Sequence, residues 1–100
     1  MFIVLLKFSD NKTAAPDHMA GHNAWLKQGF DDGVFMLAGS IEPGQGGAIL
    51  AGNASHEELE TRVKADPFVI EEVVTAELVE ISPKRAIEGL QFLVNQNSTE

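Results

Sequence analysis

A single α+β domain with the element order β-α-β-β-α-β is the fold class predicted for this chain of 100 residues, and three observations predict it. Apolar runs of strand length recur at 2–8, 34–40, 48–52 and 75–81. Two segments with helical spacing of apolar residues fall between the first and second of these runs and between the third and fourth. One glycine-rich turn joins the middle pair.

The elements follow in order. FIVLLKF (2–8) is rich in Ile, Val, Leu and Phe and is closed by the turn-forming SDNK, as expected of a mostly buried strand. Pro16 opens a helix in which Met19, Leu26 and Phe30 recur at helical spacing, until Asp31, Asp32 and Gly33 end it. VFMLAGS (34–40) and AILAG (48–52) read as the two strands of a hairpin around the tip IEPGQGG. Ser55 with Glu58 is a capping-box pattern, and Leu59 and Val63 supply an apolar stripe that runs to Asp66, where Pro67 discourages continuation. FVIEEVV (68–74) is ambiguous and includes a possible extra helical turn, whereas TAELVEI (75–81) reads as the last strand. Ser82 and Pro83 restart a helix, PKRAIEGLQFLVNQ, with Ile87, Leu90, Phe92, Leu93 and Val94 on its apolar side.

This order is the split β-α-β, or ferredoxin-like, arrangement: an antiparallel four-stranded sheet with both helices on one face, here followed by a C-terminal helix. The expected division is a folded unit over residues 1–82 and a helical extension and tail over 83–100. Strands as continuously apolar as FIVLL predict burial on both faces of the sheet, and a chain this short has no second layer to offer. A homodimer or higher homo-oligomer stacking sheet on sheet is one expected cover, and the C-terminal helix is the other.

Composition narrows the function classes. A net charge of −8 with only seven Lys and Arg, in no run or stripe, argues against nucleic acid as a partner. The absence of cysteine excludes disulfides, thiol catalysis, iron–sulfur clusters and cysteine-ligated zinc, and suits a reducing compartment, so the cytoplasm is the expected location. MFIVLLKF has no basic residue ahead of it and no small-residue cleavage site after it, so it reads as a strand and not as a signal peptide. No segment approaches the ~20 apolar residues needed to cross a bilayer, so no membrane partner is expected.

The stretch DHMAGHNAWL (17–26) places His18 and His22 four residues apart, on one face of a helix. At about 100° per residue, His22 falls inside the arc of Met19, Leu26 and Phe30, while His18 lies near its Trp25 edge. On the second helix Leu59, Val63 and Asp66 follow i, i+4, i+7, so Asp66 also faces inwards. There a carboxylate at a helix C-terminus meets the negative end of the dipole and needs a cation or a donor nearby. A histidine is a natural partner, and two helices side by side over one sheet allow His22 and Asp66 to meet. The competing readings are a packed core histidine with no chemical task and a metal pair of His18 with His22. The third ligand that zinc requires is missing, because His56 stands at the far end of the second helix, so no metal or cofactor is expected. PGQGGAILAG lacks the Gly-Lys-Ser/Thr of a phosphate loop and leads into a strand. LAGS ends its strand with small residues whose backbone donors, with the Ser40 hydroxyl, suit the wall of a small cavity. Glu71, Glu72, Glu77 and Glu80 read as a solvated surface.

HNAWL, LAGS and ADPF, in this order in a β-α-β-β-α-β chain of this length, resemble the YciI-like (YCII-related) family over roughly residues 1–85. The resemblance implies a dimeric α+β barrel, related in architecture to muconolactone isomerases and small monooxygenases. It also implies a histidine–aspartate active site, carried over to His22 and Asp66 with Ser40 as a neighbour. Some members act as lyase-type enzymes on small aromatic rings, including dehydrochlorination, and the helix after Pro83 extends beyond the usual family ending. The expected function is therefore a cofactor-independent lyase or isomerase acting on a small, possibly aromatic or cyclic, molecule. His22 is the general acid/base and Asp66 orients its ring; Trp25 and Phe68 wall the pocket, and Ser40 or the Gly39 backbone holds a developing oxyanion. The alternative is a dimeric accessory module that binds a small molecule without turning it over.

Overall fold

Burial alternates along the first strand, β1 (Phe2–Phe8): Phe2, Val4 and Leu6 are buried while Ile3 and Leu5 are only half-buried. In the computed structural model, which describes residues 1–95, β1 is followed by a 3-10 turn (Lys12–Ala14), α1 (Ala15–Asp31), β2 (Phe35–Ile41) and β3 (Gly46–Ala51). Next come α2 (His56–Lys64), the single turn α3 (Pro67–Ile70), β4 (Val74–Glu80), a 3-10 turn (Glu88–Leu90) and α4 (Gln91–Asn95). The strands form one sheet in the order β2-β3-β1-β4, with each neighbouring pair antiparallel. This is the ferredoxin-like α+β arrangement, with the C-terminal segment beyond it.

The register sorts side chains into rows across the sheet. One row of the helix-covered face runs Ala38, Ile49, Val4, Leu78, and the next runs Ser40, Gly47, Leu6, Ala76. Leu59 and Val63 of α2, Phe68 of α3 and Val73 complete the core on this side. A register shift between Phe35 and Leu37 adds one residue to β2, which turns Phe35 into the core and Leu37 outwards. Phe35 lies against α1 at Gly29, where an added Cβ would stand 2.0 Å from the ring. The opposite face carries the row Leu37, Leu50, Ile3, Val79, and Leu37 is 61% exposed.

Local chemistry accounts for the helix ends. Pro16 occupies the first turn of α1, and the N–H of Asp32 closes its last turn on Gln28. The capping box of α2 is complete: the Ser55 hydroxyl accepts from the Glu58 N–H, and the Glu58 carboxylate accepts from the Ser55 N–H at 2.8 Å. That backbone bond, with the Ser55 side chain, holds the Glu58 carboxyl below its usual range.

Two expectations change. The ambiguous 68–74 segment divides into the turn α3 and the start of β4. The predicted helix from Pro83 does not begin there: 81–87 is irregular, Ile87 is extended, and helical structure starts only at Glu88. Ile87 is 74% exposed, so this stretch buries little apolar surface to offset the cost of starting a short helix. The last predicted helical residue, Gln96, lies outside the described residues.

Gly46 opens β3 with φ +128, and a Cβ there would lie 2.1 Å from the Leu6 carbonyl oxygen. Gly46→Ala is accordingly expected to lower stability by at least ~2 kcal/mol, read as an earlier midpoint in urea unfolding.

Candidate functional site

α1 and α3 touch at a glycine. Gly21 presents no side chain to Pro67, and a Cβ there would stand 3.1 Å from the proline Cγ. The proline restricts the residue before it to extended backbone. Asp66 accordingly has ψ 124 and serves as N-cap of α3, its Oδ1 accepting from the Phe68 N–H at 3.0 Å. The same oxygen accepts from Nδ1 of His22 at 2.9 Å. Asp66 is wholly buried and the His22 side chain is 15% exposed.

This differs from the electrostatic setting read from the sequence. Helical phase through Leu59 and Val63 places Asp66 inwards, and it is inward, but α2 ends at Lys64. Asp66 stands at the start of the next turn, where a carboxylate meets unpaired N–H groups instead of the negative end of a dipole. Its second oxygen, Oδ2, is buried without a protein hydrogen bond. An acceptor-only carboxylate on Nδ1 fixes the tautomer: the proton lies on Nδ1, and Nε2 is left at the opposite edge of the ring.

Two rings hold that orientation. Phe68 stacks on His22 with centroids 4.0 Å apart and planes 7° from parallel, and Trp25 lies 5.7 Å away at 30°. His22 then borders a cleft of about 210 Å³ between α1 and the sheet. Met19 and Asn23 of α1, Leu6 and Phe8 of β1, Phe68, and Gly39, Ser40 and Gly47 of the hairpin line it. A smaller space of about 50 Å³ shares Leu6, His22, Gly39 and Gly47 with it and is also bordered by Leu26, Ala38 and Ala48. Cavity and hairpin composition are directly linked: Gly47, in the row between Ser40 and Leu6, leaves open the volume that a larger side chain would fill.

Of the residues singled out in the sequence, His22, Phe68, Gly39 and Ser40 border the cleft, and Asp66 lies behind His22. Trp25 does not border it; its indole packs edge-on against Phe35, and its Nε1–H donates to the Arg62 carbonyl at 2.9 Å. His18 is half-buried and does not border the cleft, and among the described residues no group of three His, Cys, Asp or Glu side chains is placed to hold a metal ion. Asn23 and Gly21 have no distinctive sequence pattern, and Met19 reads from sequence only as part of the apolar arc of the helix. A glycine within a helix costs about 1 kcal/mol against alanine, and that cost is the available signal that Gly21 serves a close approach. A larger depression of about 490 Å³ lies at the other end of β1, beside Phe2, Ser55 and His56. His56 is exposed there, tilted against Phe2 with centroids 5.8 Å apart.

The model of the YCII-related domain matches residues 1–83. The chain belongs to that family. A search of curated proteins finds no match. Among solved structures, the YCII-related domain is similar to 5-chloro-2-hydroxyhydroquinone dehydrochlorinase (TftG) from Burkholderia phenoliruptrix AC1100, in complex with 2,5-dihydroxybenzoquinone. The TM-score is 0.65 at 15% identity, covering 81% of this chain and 93% of that one. At that identity the likeness is one of fold. No helix among the described residues is long and apolar enough to cross a membrane.

The buried carboxylate sets a stability prediction. Asp66→Asn keeps an oxygen to accept from Phe68 and His22, so urea unfolding is expected to show a loss within about 1 kcal/mol. Asp66→Ala removes the N-cap and strands the His22 Nδ1–H, with an expected loss of about 2–3 kcal/mol.

Proposed function

We propose that this YCII-related domain is a lyase or isomerase that moves a proton on a small ring molecule, with His22 as general base and acid and Asp66 as its orienting carboxylate. The observation that carries the reading is the 2.9 Å bond from His22 Nδ1 to a wholly buried carboxylate, at the wall of a cleft of about 210 Å³. Imidazole is the side chain best suited to take and return a proton near neutral pH. Asp66 favours the imidazolium that forms, as the carboxylate of a catalytic triad does.

The cleft argues for the substrate class. About 150 Å³ suffices for benzene in a protein cavity, so this space suits one substituted ring. Its border includes no Lys or Arg, which favours a neutral or weakly acidic phenol-like molecule over a phosphate or a carboxylate. Ser40 and the Gly39 backbone stand on the sheet side, where a hydroxyl or N–H would stabilise an oxyanion developing on the ring, and Phe68 supplies an apolar wall. In the step proposed, His22 Nε2 takes a proton from the substrate, and the electron pair left behind moves into the ring. Return of the proton at another atom gives an isomer, whereas departure of a leaving group with its electron pair gives an eliminated product. Membership of the family and the fold shared with a dehydrochlorinase support this direction.

Turnover of 5-chloro-2-hydroxyhydroquinone and related halogenated or hydroxylated rings, followed by absorbance and chloride release, tests the reading. His22→Ala and Asp66→Asn are expected to remain folded and to lose about 10²–10⁴-fold in kcat. Wild-type activity in folded His22→Ala overturns the assignment; binding of these rings without turnover by the wild type would favour the accessory-module reading instead.

We further propose that residues 1–82 form the working unit and that it pairs as a homodimer through the open sheet face. The apolar row Leu37, Leu50, Ile3, Val79, exposed at Leu37 and Val79 and half-buried between them, is the support for this, since such a row on one face of a sheet favours a second layer. Light scattering is expected to give twice the chain mass of 10.8 kDa, and Leu37→Glu is expected to shift the protein to monomer.

A further inference from the structure

Trp25 is large, half-buried and three residues from His22 on α1, yet it does not border the cleft. Its contacts run the other way. The indole N–H donates to the backbone carbonyl of Arg62 at 2.9 Å, in the last turn of α2. That carbonyl also accepts from Ala65 at 3.1 Å, and the Asp66 N–H bonds to Val63 at 3.1 Å, so the indole grips the turn that delivers Asp66. The Arg62 guanidinium returns to Asp32, beyond the last turn of α1, at 2.9 Å. The helix that carries His22 is thus tied at two points to the turn that carries its partner.

The ring geometry gives the tie a target. Phe68 is stacked at 4.0 Å on His22 and Trp25 stands 5.7 Å from it, while Phe35 supports the indole at 5.1 Å. Movement of the imidazole towards Trp25 is limited by an indole that is itself pinned by the Arg62 carbonyl and by Phe35. A single 2.9 Å hydrogen bond fixes a distance but leaves rotation about its own axis; the aromatic neighbours remove that freedom. Packing of this kind around a reacting group is how an active site keeps its orientation.

We propose that Trp25 is a positioning residue that holds the His22 ring in line with Asp66, with the Arg62–Asp32 bridge as its second anchor. It acts through His22 and touches no part of the cleft. The inference rests on the reading of His22 and Asp66 as a working pair, so its test observes the ring directly and carries a control for that reading.

The measurement is the rate at which the His22 Nδ1–H exchanges with water, followed by proton NMR of protein labelled with ¹⁵N in histidine. Trp25→Phe keeps an aromatic ring and removes the N–H. It is expected to accelerate this exchange at least tenfold while backbone amides of β1 keep their protection. Asp32→Asn, a surface change that breaks the second anchor, is expected to accelerate it by a smaller factor, and this variant carries the test if Trp25→Phe does not fold. Asp66→Ala, which removes the acceptor of the Nδ1–H, is the control, in which the exchange must also accelerate. Wild-type exchange in Trp25→Phe, or in Asp32→Asn where that variant carries the test, alongside acceleration in Asp66→Ala, overturns the positioning role and leaves the pair intact. Unchanged exchange in Asp66→Ala overturns the pair reading and this inference together.

Discussion

The approach of α3 to α1 is the constraint on which the site depends. A proline after Asp66 forces the chain out of helix and restarts it, so the carboxylate that would have ended α2 instead caps α3. Gly21 gives that proline room beside α1. His22 is the next residue, and its imidazole meets the carboxylate at 2.9 Å. Each part alone is costly: a glycine in a helix, a broken helix, a buried carboxylate with one oxygen unpaired. Together they place a histidine of defined tautomer against a buried anion, and the core around Leu59, Val63 and Phe68 offsets the expense.

The other half of the site is made by what the hairpin omits. β2 and β3 meet near their tip through Gly39 against Ala48 and Ser40 against Gly47. Of these, Ser40 and Gly47 face α1, where larger side chains would have packed towards Met19 and Asn23; the small pair leaves a cleft. Its border holds polar groups at His22, Asn23 and Ser40 within mostly apolar surroundings, a composition that orients a small molecule through a few hydrogen bonds and excludes it from water elsewhere.

Much of this is legible in sequence. Strand runs, the capping box and the X-Pro break predict the element order because each depends on residues close together in the chain. The inward phase of His22 and Asp66 follows from helical geometry, even though α2 stops at Lys64, two residues before Asp66. What the helical wheel cannot supply is the contact between elements. Trp25 sits within the reach of a pocket wall by sequence, but the carbonyl that claims its N–H lies 37 residues away. Gly21 reads as a weak point in a helix until Pro67 is seen against it. The C-terminal helix is present but shorter than its apolar spacing suggests: it forms where Leu93 is buried, and the stretch before Glu88, with Ile87 exposed, stays irregular.

The two faces of the sheet divide the work. Rows that face the helices carry Leu6, Gly47 and Ser40 to the cleft, while the alternate rows carry Leu37, Leu50, Ile3 and Val79 to the opposite side. Strand alternation makes this division strict, since adjacent residues point to opposite faces and a one-residue slip would exchange them. The extra residue in β2 is what reconciles the two demands. It lets Phe35 enter the core behind Trp25 while Ala38 and Ser40, further along the same strand, still face α1. A layer placed over the outer rows would therefore rest on residues that take no part in the site, and association and chemistry can be altered separately on a sheet only one strand thick.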